Sequence, residues 1–257
     1  MTDHERYLFD LQGYLTLPNA LDANEVGALN EIVDAHIAGL PNQDWSMHRF
    51  LGLLGWGAPF RNLIDHPKCL PYMQETVSPK VRLDHTYLDI IRPNHVPGGQ
   101  VLHTGGVMPQ SYSVYQGGRF YNGLSAVAIN LMDVNPGDGG FGCVPGSHKS
   151  NVSIPEEWMQ LDEDPEPFVK RVTGPAGTVV IFTEALTHGT LPWTGSAERR
   201  TVFYKFSPHT FGWIQPYPDG QDIDGLTDQQ RELLQPPSAR YAPSPRDQEM
   251  QTGALHL

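Results

Sequence analysis

Three of the 11 histidines stand in sequence contexts that are suited to metal chemistry. His103 precedes a glycine-rich turn, His148 ends a Pro-Gly-Ser-His segment, and His188 follows the strongly apolar run of residues 178–182. The chain has only two cysteines, which are too few for a disulfide framework or for a zinc site built from thiolates. A metal bound by this chain would therefore depend on imidazole nitrogen and on oxygen ligands.

An arginine at a fixed distance from His188 is the second feature with chemical meaning. Arg199 comes eleven residues after His188 and opens a further predicted strand. Two antiparallel neighbours joined by such a connection would place the imidazole and the guanidinium on one inner face. A guanidinium buried in an acidic protein needs an anion, and a carboxylate gives the best bidentate match. The alternative, in which Arg199 or Arg200 lies on the surface beside Glu198, stays open at this point.

These residues need secondary structure to position them, and the sequence predicts helices first and strands afterwards. Asp22 is suited to cap a helix whose apolar residues recur with a 3.6-residue period, and residues 67–77 form a shorter candidate. Strands are predicted over residues 81–92, 124–134, 178–182 and 200–206. Helices followed by many short strands favour an antiparallel sandwich or barrel with helical buttresses.

The domain organisation follows from the same pattern. A short helix is predicted near residues 228–234, and the prolines beyond it are typical of a wrapping or disordered tail. We therefore expect one domain over residues 1–235, followed by a proline-rich tail over residues 236–257.

Composition narrows the function classes. The 257 residues contain 17 Lys and Arg against 29 Asp and Glu, which gives a formal net charge of −12. Such an acidic chain is unsuited to broad binding of nucleic acid or of anionic membranes. The polar, acidic N-terminal residues differ from a signal peptide, and no run approaches the ~18 apolar residues of a membrane span. We predict a cytoplasmic protein with no nucleic-acid or membrane partner.

Three parts of the chain together resemble the phytanoyl-CoA dioxygenase family: residues 13–19, residues 139–149 and the spacing from His188 to Arg199. The similarity covers roughly residues 7–208. The family is built on a double-stranded β-helix (a cupin-like jelly roll), so the implied fold is mainly β with N-terminal helices. It binds non-haem Fe(II) and 2-oxoglutarate and typically uses O₂ to hydroxylate an unactivated C–H bond.

The resemblance implies a role for each matching residue. His103 and His188 correspond to the two imidazoles that bind the metal. Arg199 corresponds to the arginine that pairs with the far carboxylate of 2-oxoglutarate, and Arg200 takes that role if the register shifts by one. His148 matches a motif position outside the ligand set, where stabilisation of a turn is the simpler interpretation. The implied partners are a small-molecule substrate and O₂, and no catalytic residue is implied beyond the metal centre.

The departure from the family pattern lies at Gly105. The family's first motif is His-x-Asp or His-x-Glu, and no histidine of this chain has an acid two residues later.

Three hypotheses compete. Chloride fills the vacated position, as in the Fe(II)/2-oxoglutarate halogenases with a similar His-x-Gly or His-x-Ala pattern. Alternatively, Glu184 completes the site, with Asp84 and Asp89 as weaker candidates. In the third hypothesis the chain is a jelly-roll binding protein or pseudoenzyme. The retained Arg199 favours a working Fe(II)/2-oxoglutarate site over the third hypothesis.

The substrate is less well defined by the sequence. Tyr87, Tyr115 and Arg119 lie near the implied site along the chain and are candidates for contacts with cosubstrate or substrate. The loops over residues 45–60 and 108–121 are predicted to shape the cavity. Their mixture of aromatic, basic and amide side chains favours a polar or amphipathic small molecule.

Overall fold

The computed structural model describes residues 1–42, 44–93, 101–103, 111–162, 164–218 and 220–238. Its helices are α1 (Asp3–Gln12), α2 (Ala23–Ala38), α3 (Ala58–Arg61), α4 (Leu70–Thr76) and α5 (Asp228–Leu233). Its strands are β1 (Tyr14–Leu17), β2 (Met47–Leu51), β3 (Val81–Ile91), β4 (Ser113–Gln116), β5 (Arg119–Asn122), β6 (Ser125–Asn130), β7 (Gly140–Cys143), β8 (Lys170–Arg171), β9 (Val179–Thr183), β10 (His188–Leu191) and β11 (Arg199–Pro208). No helix in this part of the chain is both long and apolar enough to cross a membrane. Most of the predicted tail, residues 239–257, lies outside the described residues.

Two antiparallel sheets form the body of the protein. The larger sheet has the strand order β1-β9-β6-β11-β3-β2, and the smaller has the order β10-β7-β8. Residues 101–103 run beside β10, where the His103 N–H donates to the His188 carbonyl. A cluster of buried side chains from both sheets fills the space between them, including Phe141 and Phe182. This arrangement confirms the predicted mainly β jelly roll.

Side chains along β11 alternate between the two faces of the larger sheet, one packed on the helices and the other turned toward the smaller sheet. Val202, Tyr204 and Phe206 belong to the core that the sheet forms with the helices. Strand geometry directs the intervening side chains to the opposite face, toward the smaller sheet. Those side chains are Arg199, Thr201, Phe203 and Lys205. One face of β11 is therefore structural, and the other presents polar groups between the sheets.

The predicted N-terminal helix is confirmed as α2. The Asp22 carboxylate accepts hydrogen bonds from the N–H groups of Asn24 and Glu25, at 2.8 and 3.0 Å, and the Glu25 carboxylate accepts from the Asp22 N–H at 2.8 Å. Such a reciprocal cap contributes about 1 kcal/mol to helix stability. Val26, Leu29 and others of the predicted apolar face pack into the core beneath the larger sheet. The helix therefore supports the sheet from the side opposite the cavity.

His148 ties the Pro-Gly-Ser-His turn to the end of α1. Its side chain is buried, and the distance from Nε2 to the Asp10 carbonyl oxygen is 3.1 Å. It packs against Gly13, whose φ is +82° and where a Cβ atom would lie 2.6 Å from the imidazole Nδ1. In the same turn, the Ser147 hydroxyl accepts a hydrogen bond from the Thr187 N–H at 2.7 Å. These contacts agree with a turn-stabilising role for His148, and they fix the residue that precedes His188.

The burial of His148 predicts a specific acid sensitivity. Desolvation, together with the nearby Lys149 ammonium, lowers the pKa of His148 to about 4, whereas an imidazole in the unfolded chain titrates near pH ~6.5. Because the folded-state pKa is the lower one, the neutral ring stabilises the fold fully above pH ~6.5. That contribution is lost as the pH falls toward 4.

We expect the destabilisation caused by His148→Gln to shrink by about 2 to 3 kcal/mol between pH 7.5 and pH 4.5. Urea unfolding of the wild type and the variant at the two pH values measures this difference. An equal difference in unfolding free energy at both pH values would show that His148 does not titrate with folding.

Candidate active site

A cavity of about 250 Å³ opens between the two sheets. Its walls combine imidazole, carboxylate, ammonium and guanidinium groups with aromatic rings, and most of them come from β3, β10 and β11. The residues that line it are Arg49, His85, Tyr87, Asp89, His103, Leu124, Phe141, Glu184, His188, Gly189, Thr190, Phe203, Lys205 and Trp213.

The structure brings the two histidines predicted as metal ligands together. The backbone of His103 pairs with that of His188 through two hydrogen bonds, at 2.8 and 3.1 Å. Their imidazole rings lie with centroids 4.4 Å apart and planes inclined at 64°. Two residues that are 85 positions apart in the chain thus line one cavity because residues 101–103 run beside β10.

The tautomer of His188 is fixed by a backbone contact. Its Nδ1 lies 2.7 Å from the Leu186 carbonyl oxygen, so Nδ1 carries the proton that is donated there. The lone pair is consequently on Nε2, and a carbonyl that accepts from the other ring nitrogen is typical of metal-binding histidines. Burial lowers the pKa of His188 to about 4, although the Glu184 carboxylate acts in the opposite direction. The ring is therefore neutral near pH 7, which is the form that binds metals.

Glu184, the predicted alternative ligand, is buried beside His188 and forms an ion pair with the Lys205 ammonium. Its Oε2 lies 3.8 Å from the His188 Nε2. Burial alone would raise the pKa of Glu184, but the charge of the Lys205 ammonium holds it at about 2, so the carboxylate is ionised. In the described part of the chain, no three His, Cys, Asp or Glu side chains are arranged to hold a metal ion. Ligation by Glu184 stays a prediction.

Arg199 lies on the inner face of the larger sheet and is fully buried. Its Nε has no hydrogen-bond partner among the described residues, and desolvation lowers the pKa of the guanidinium. Gly140, with a φ of +86°, leaves space beside it, since a Cβ atom there would lie 3.4 Å from the Arg199 Nε. The Thr201 hydroxyl, on the same face, is also buried without a hydrogen-bond partner in the described structure.

Two unsatisfied donors of this kind fit a carboxylate. Buried polar groups in native proteins are nearly always hydrogen-bonded, and an unpaired one costs about 1 to 3 kcal/mol. A guanidinium beside a hydroxyl matches one end of a dicarboxylate cosubstrate such as 2-oxoglutarate. Thr201 was not predicted from the sequence. Counting two residues from Arg199 along an alternating strand would have identified it.

Arg200 does not reach the site. Its guanidinium lies on the helix side of the larger sheet, where Nη2 is 2.7 Å from Asp34 and 3.0 Å from Glu198. The expectation that the strands of His188 and Arg199 are antiparallel neighbours is wrong. β10 pairs with β7, whereas β11 pairs with β3 and β6, so the two residues belong to different sheets. The reason is that the connection crosses from one sheet to the other.

The two weaker candidate ligands, Asp89 and Asp84, each form an ion pair with an arginine. Asp89 lines the cavity, and its two carboxylate oxygens accept from Arg49 at 2.6 and 2.7 Å. Asp84 is fully buried and accepts from the Arg82 guanidinium at 3.0 Å and from the Trp213 N–H at 2.7 Å. Asp84 therefore fixes the segment that places Trp213 at the cavity, while the Asp89–Arg49 pair forms part of its wall.

The remaining predicted residues are divided between two places. Tyr87 lines the cavity, and its ring lies 4.3 Å below the Arg49 guanidinium carbon. Tyr115 and Arg119 do not line it; they belong to the β4–β5 hairpin and to a separate surface cavity of about 360 Å³. Gly105, the vacated ligand position, lies outside the described residues.

The fold and the site define a class: a cupin-like jelly roll with a two-histidine candidate metal centre and a buried arginine on the facing sheet. The model of the phytanoyl-CoA dioxygenase (PhyH) family matches residues 9–201. The chain belongs to this family. A comparison with curated proteins gave no match.

Solved structures with the same fold include HygX from Streptomyces hygroscopicus. With nickel and 2-oxoglutarate bound, HygX is 24% identical to this chain, with a TM-score of 0.76, over 83% of this chain and 90% of HygX. HygX with nickel, 2-oxoglutarate and hygromycin B is 23% identical, with a TM-score of 0.74, over 88% and 95% of the two chains. The iron-bound form of HygX gives 23% identity and a TM-score of 0.73, over 83% and 90%.

Proposed function

We propose that the protein is a non-haem Fe(II)- and 2-oxoglutarate-dependent dioxygenase-type oxidoreductase that oxidises a C–H bond of a small organic substrate. The observation that carries this proposal is the pairing of His103 with His188 at the cavity, together with the unsatisfied donors of Arg199 and Thr201 on the inner face of the larger sheet. The family membership supports it, as do the metal and the 2-oxoglutarate held by HygX.

Each of these groups has a defined task in the proposed enzyme. His103 and His188 would hold Fe(II), and the Leu186 carbonyl would keep the His188 ring in the binding tautomer. Arg199 and Thr201 would receive the far carboxylate of 2-oxoglutarate. When bound, the iron and the cosubstrate supply the oxidising chemistry with O₂. The protein positions them and excludes water.

The cavity favours a polar or amphipathic organic substrate. Tyr87 and Trp213 present aromatic surface, while the Arg49–Asp89 pair supplies hydrogen-bonding groups beside it. The binding of hygromycin B by HygX supports a small organic molecule as the substrate class. The paired charges in the wall leave no large excess of either sign, which favours recognition by shape and hydrogen bonds.

Halogenation is the second candidate, and the pairing of the cavity carboxylates favours it. Glu184 is held by Lys205 and Asp89 by Arg49, and Gly105 supplies no acid. A coordination position next to the two histidines would then be available to a halide. The non-catalytic alternative does not explain Arg199. A binding protein without 2-oxoglutarate would leave the buried Nε of this guanidinium without a hydrogen-bond partner.

The test is the conversion of 2-oxoglutarate to succinate by the purified protein with Fe(II) and O₂, with chloride, with bromide and without halide. We expect succinate formation that depends on Fe(II), including slow uncoupled turnover without substrate. A halogenase would form succinate at rates that depend on the supplied halide, whereas a hydroxylase would give the same rate in all three media. Absence of Fe(II)-dependent succinate would contradict the proposed function and favour a binding protein.

A further inference from the structure

We propose that Lys205 is a positioning residue that holds the Glu184 carboxylate away from the metal. The metal would then be bound by His103 and His188 without Glu184. This inference rests on the proposed function. It explains how the ionised Glu184 carboxylate can lie next to the site without taking the place of the acid that Gly105 lacks.

Glu184 lies between the Lys205 ammonium and the His188 imidazole. It directly follows β9, and one of its oxygens is taken by the Lys205 ammonium. The other oxygen lies 3.8 Å from the His188 Nε2, which is too far for a hydrogen bond and on the side where the lone pair emerges. Ligand atoms that each lie ~2.0 to 2.2 Å from one metal are about 3 to 3.5 Å apart, so a small side-chain rotation would bring this oxygen onto a metal held by His188.

The surroundings of Lys205 keep it in place. The residue is buried in β11, and its Nζ lies 4.9 Å from the ring centroid of Phe182, 5.3 Å from that of Phe203 and 5.9 Å from that of Tyr87. An ammonium in such an aromatic enclosure is stabilised by the ring faces and by its carboxylate partner. Its stem cannot move far without displacing packed rings, so the position of the ammonium determines that of Glu184.

Removal of the Lys205 ammonium would leave the Glu184 carboxylate without its ion-pair partner. A buried carboxylate that loses its partner is strongly destabilised until it finds another positive charge. The nearest such charge in the loaded protein would be the metal itself. With Lys205 present, the pair is neutral and the coordination position stays open to cosubstrate, water or halide. Without it, Glu184 would complete a set of two histidines and one carboxylate.

The experiment uses Co(II) as the probe, titrated anaerobically into the full-length protein without 2-oxoglutarate and followed by visible absorption. We expect Lys205→Met to bind Co(II) at least tenfold more tightly than the wild type and with a different absorption spectrum. Lys205→Met/Glu184→Asp carries the same charge with a carboxylate one methylene shorter, and it should lose both effects. The neutral double variant Lys205→Met/Glu184→Gln should bind Co(II) within about threefold of the wild type.

Each other outcome overturns the proposal. Equal tightening in the Glu184→Asp background would show that charge alone, not ligation, changes the affinity. Weakening of more than tenfold in the neutral double variant would show that Glu184 is already a ligand in the wild type. If Lys205→Met does not fold, as judged by circular dichroism, Lys205→Met/Glu184→Gln still shows whether Glu184 is a ligand in the wild type. Failure of the wild type to bind Co(II) through His188, tested with His188→Ala, would instead contradict the proposed function.

Discussion

Replacement of Arg199 by methionine is expected to raise the KM for 2-oxoglutarate by roughly 30- to 700-fold, which corresponds to a loss of about 2 to 4 kcal/mol. The reason is that a carboxylate would lose a buried, charge-assisted partner on the inner face of the larger sheet. Without cosubstrate, the same variant should be at least as stable as the wild type. A buried cation whose Nε is unsatisfied in the described structure costs free energy that methionine does not.

Kinetics and thermal unfolding measure the two halves of this prediction, and two neighbouring variants serve as controls. Thr201→Val should raise the KM by about 10- to 150-fold, because it removes one hydrogen bond to a charged carboxylate, worth about 1.5 to 3 kcal/mol. Arg200→Met should leave the KM unchanged, because Arg200 lies on the opposite face with Asp34 and Glu198. An Arg200→Met variant that loses 2-oxoglutarate while Arg199→Met retains it would contradict the assignment.

Replacement of His188 by alanine is expected to weaken metal binding by more than about 100-fold and to reduce succinate formation to background. Loss of an outer-sphere partner alone costs about 10- to 100-fold in metal affinity, and a direct ligand costs more. Anaerobic titration with Fe(II) measures the affinity. His103→Ala should behave similarly, since the two rings line the same cavity with centroids 4.4 Å apart.

His85 provides the matched control for this prediction. It lines the same cavity from β3 of the larger sheet, whereas His103 and His188 pair with each other beside β10. We expect His85→Ala to retain metal affinity within about threefold of the wild type. Equal losses from the replacement of His85 and of His188 would show that the cavity, rather than this pair of histidines, governs the apparent affinity.

The elements that could be predicted from the sequence are those with local signals. The capping box at Asp22 and the periodic apolar residues of α2 depend on neighbours within one turn. The apolar strands β3, β6, β9 and β11 were likewise predicted from their own composition. Short strands such as β7 and β10 carry glycine and polar residues and have no such signal. Their strand conformation comes from pairing with each other.

The partners of the charged residues could not be predicted, because they depend on the order of strands in the sheet. Glu184 meets Lys205 because β9 and β11 both flank β6. Asp89 meets Arg49 because β2 pairs with β3 in a particular register. Such pairings join residues that are distant in the chain, and no local pattern specifies them.

The measurement that tests the central claim most directly is visible absorption after anaerobic addition of Fe(II) and 2-oxoglutarate. A metal held by His103 and His188, with cosubstrate bound to it and anchored at Arg199, predicts a weak visible band. The band should require both additions, be absent in His188→Ala and disappear on exposure to O₂. A wild-type protein that shows no band at saturating concentrations, or a band that persists in His188→Ala, would contradict the account.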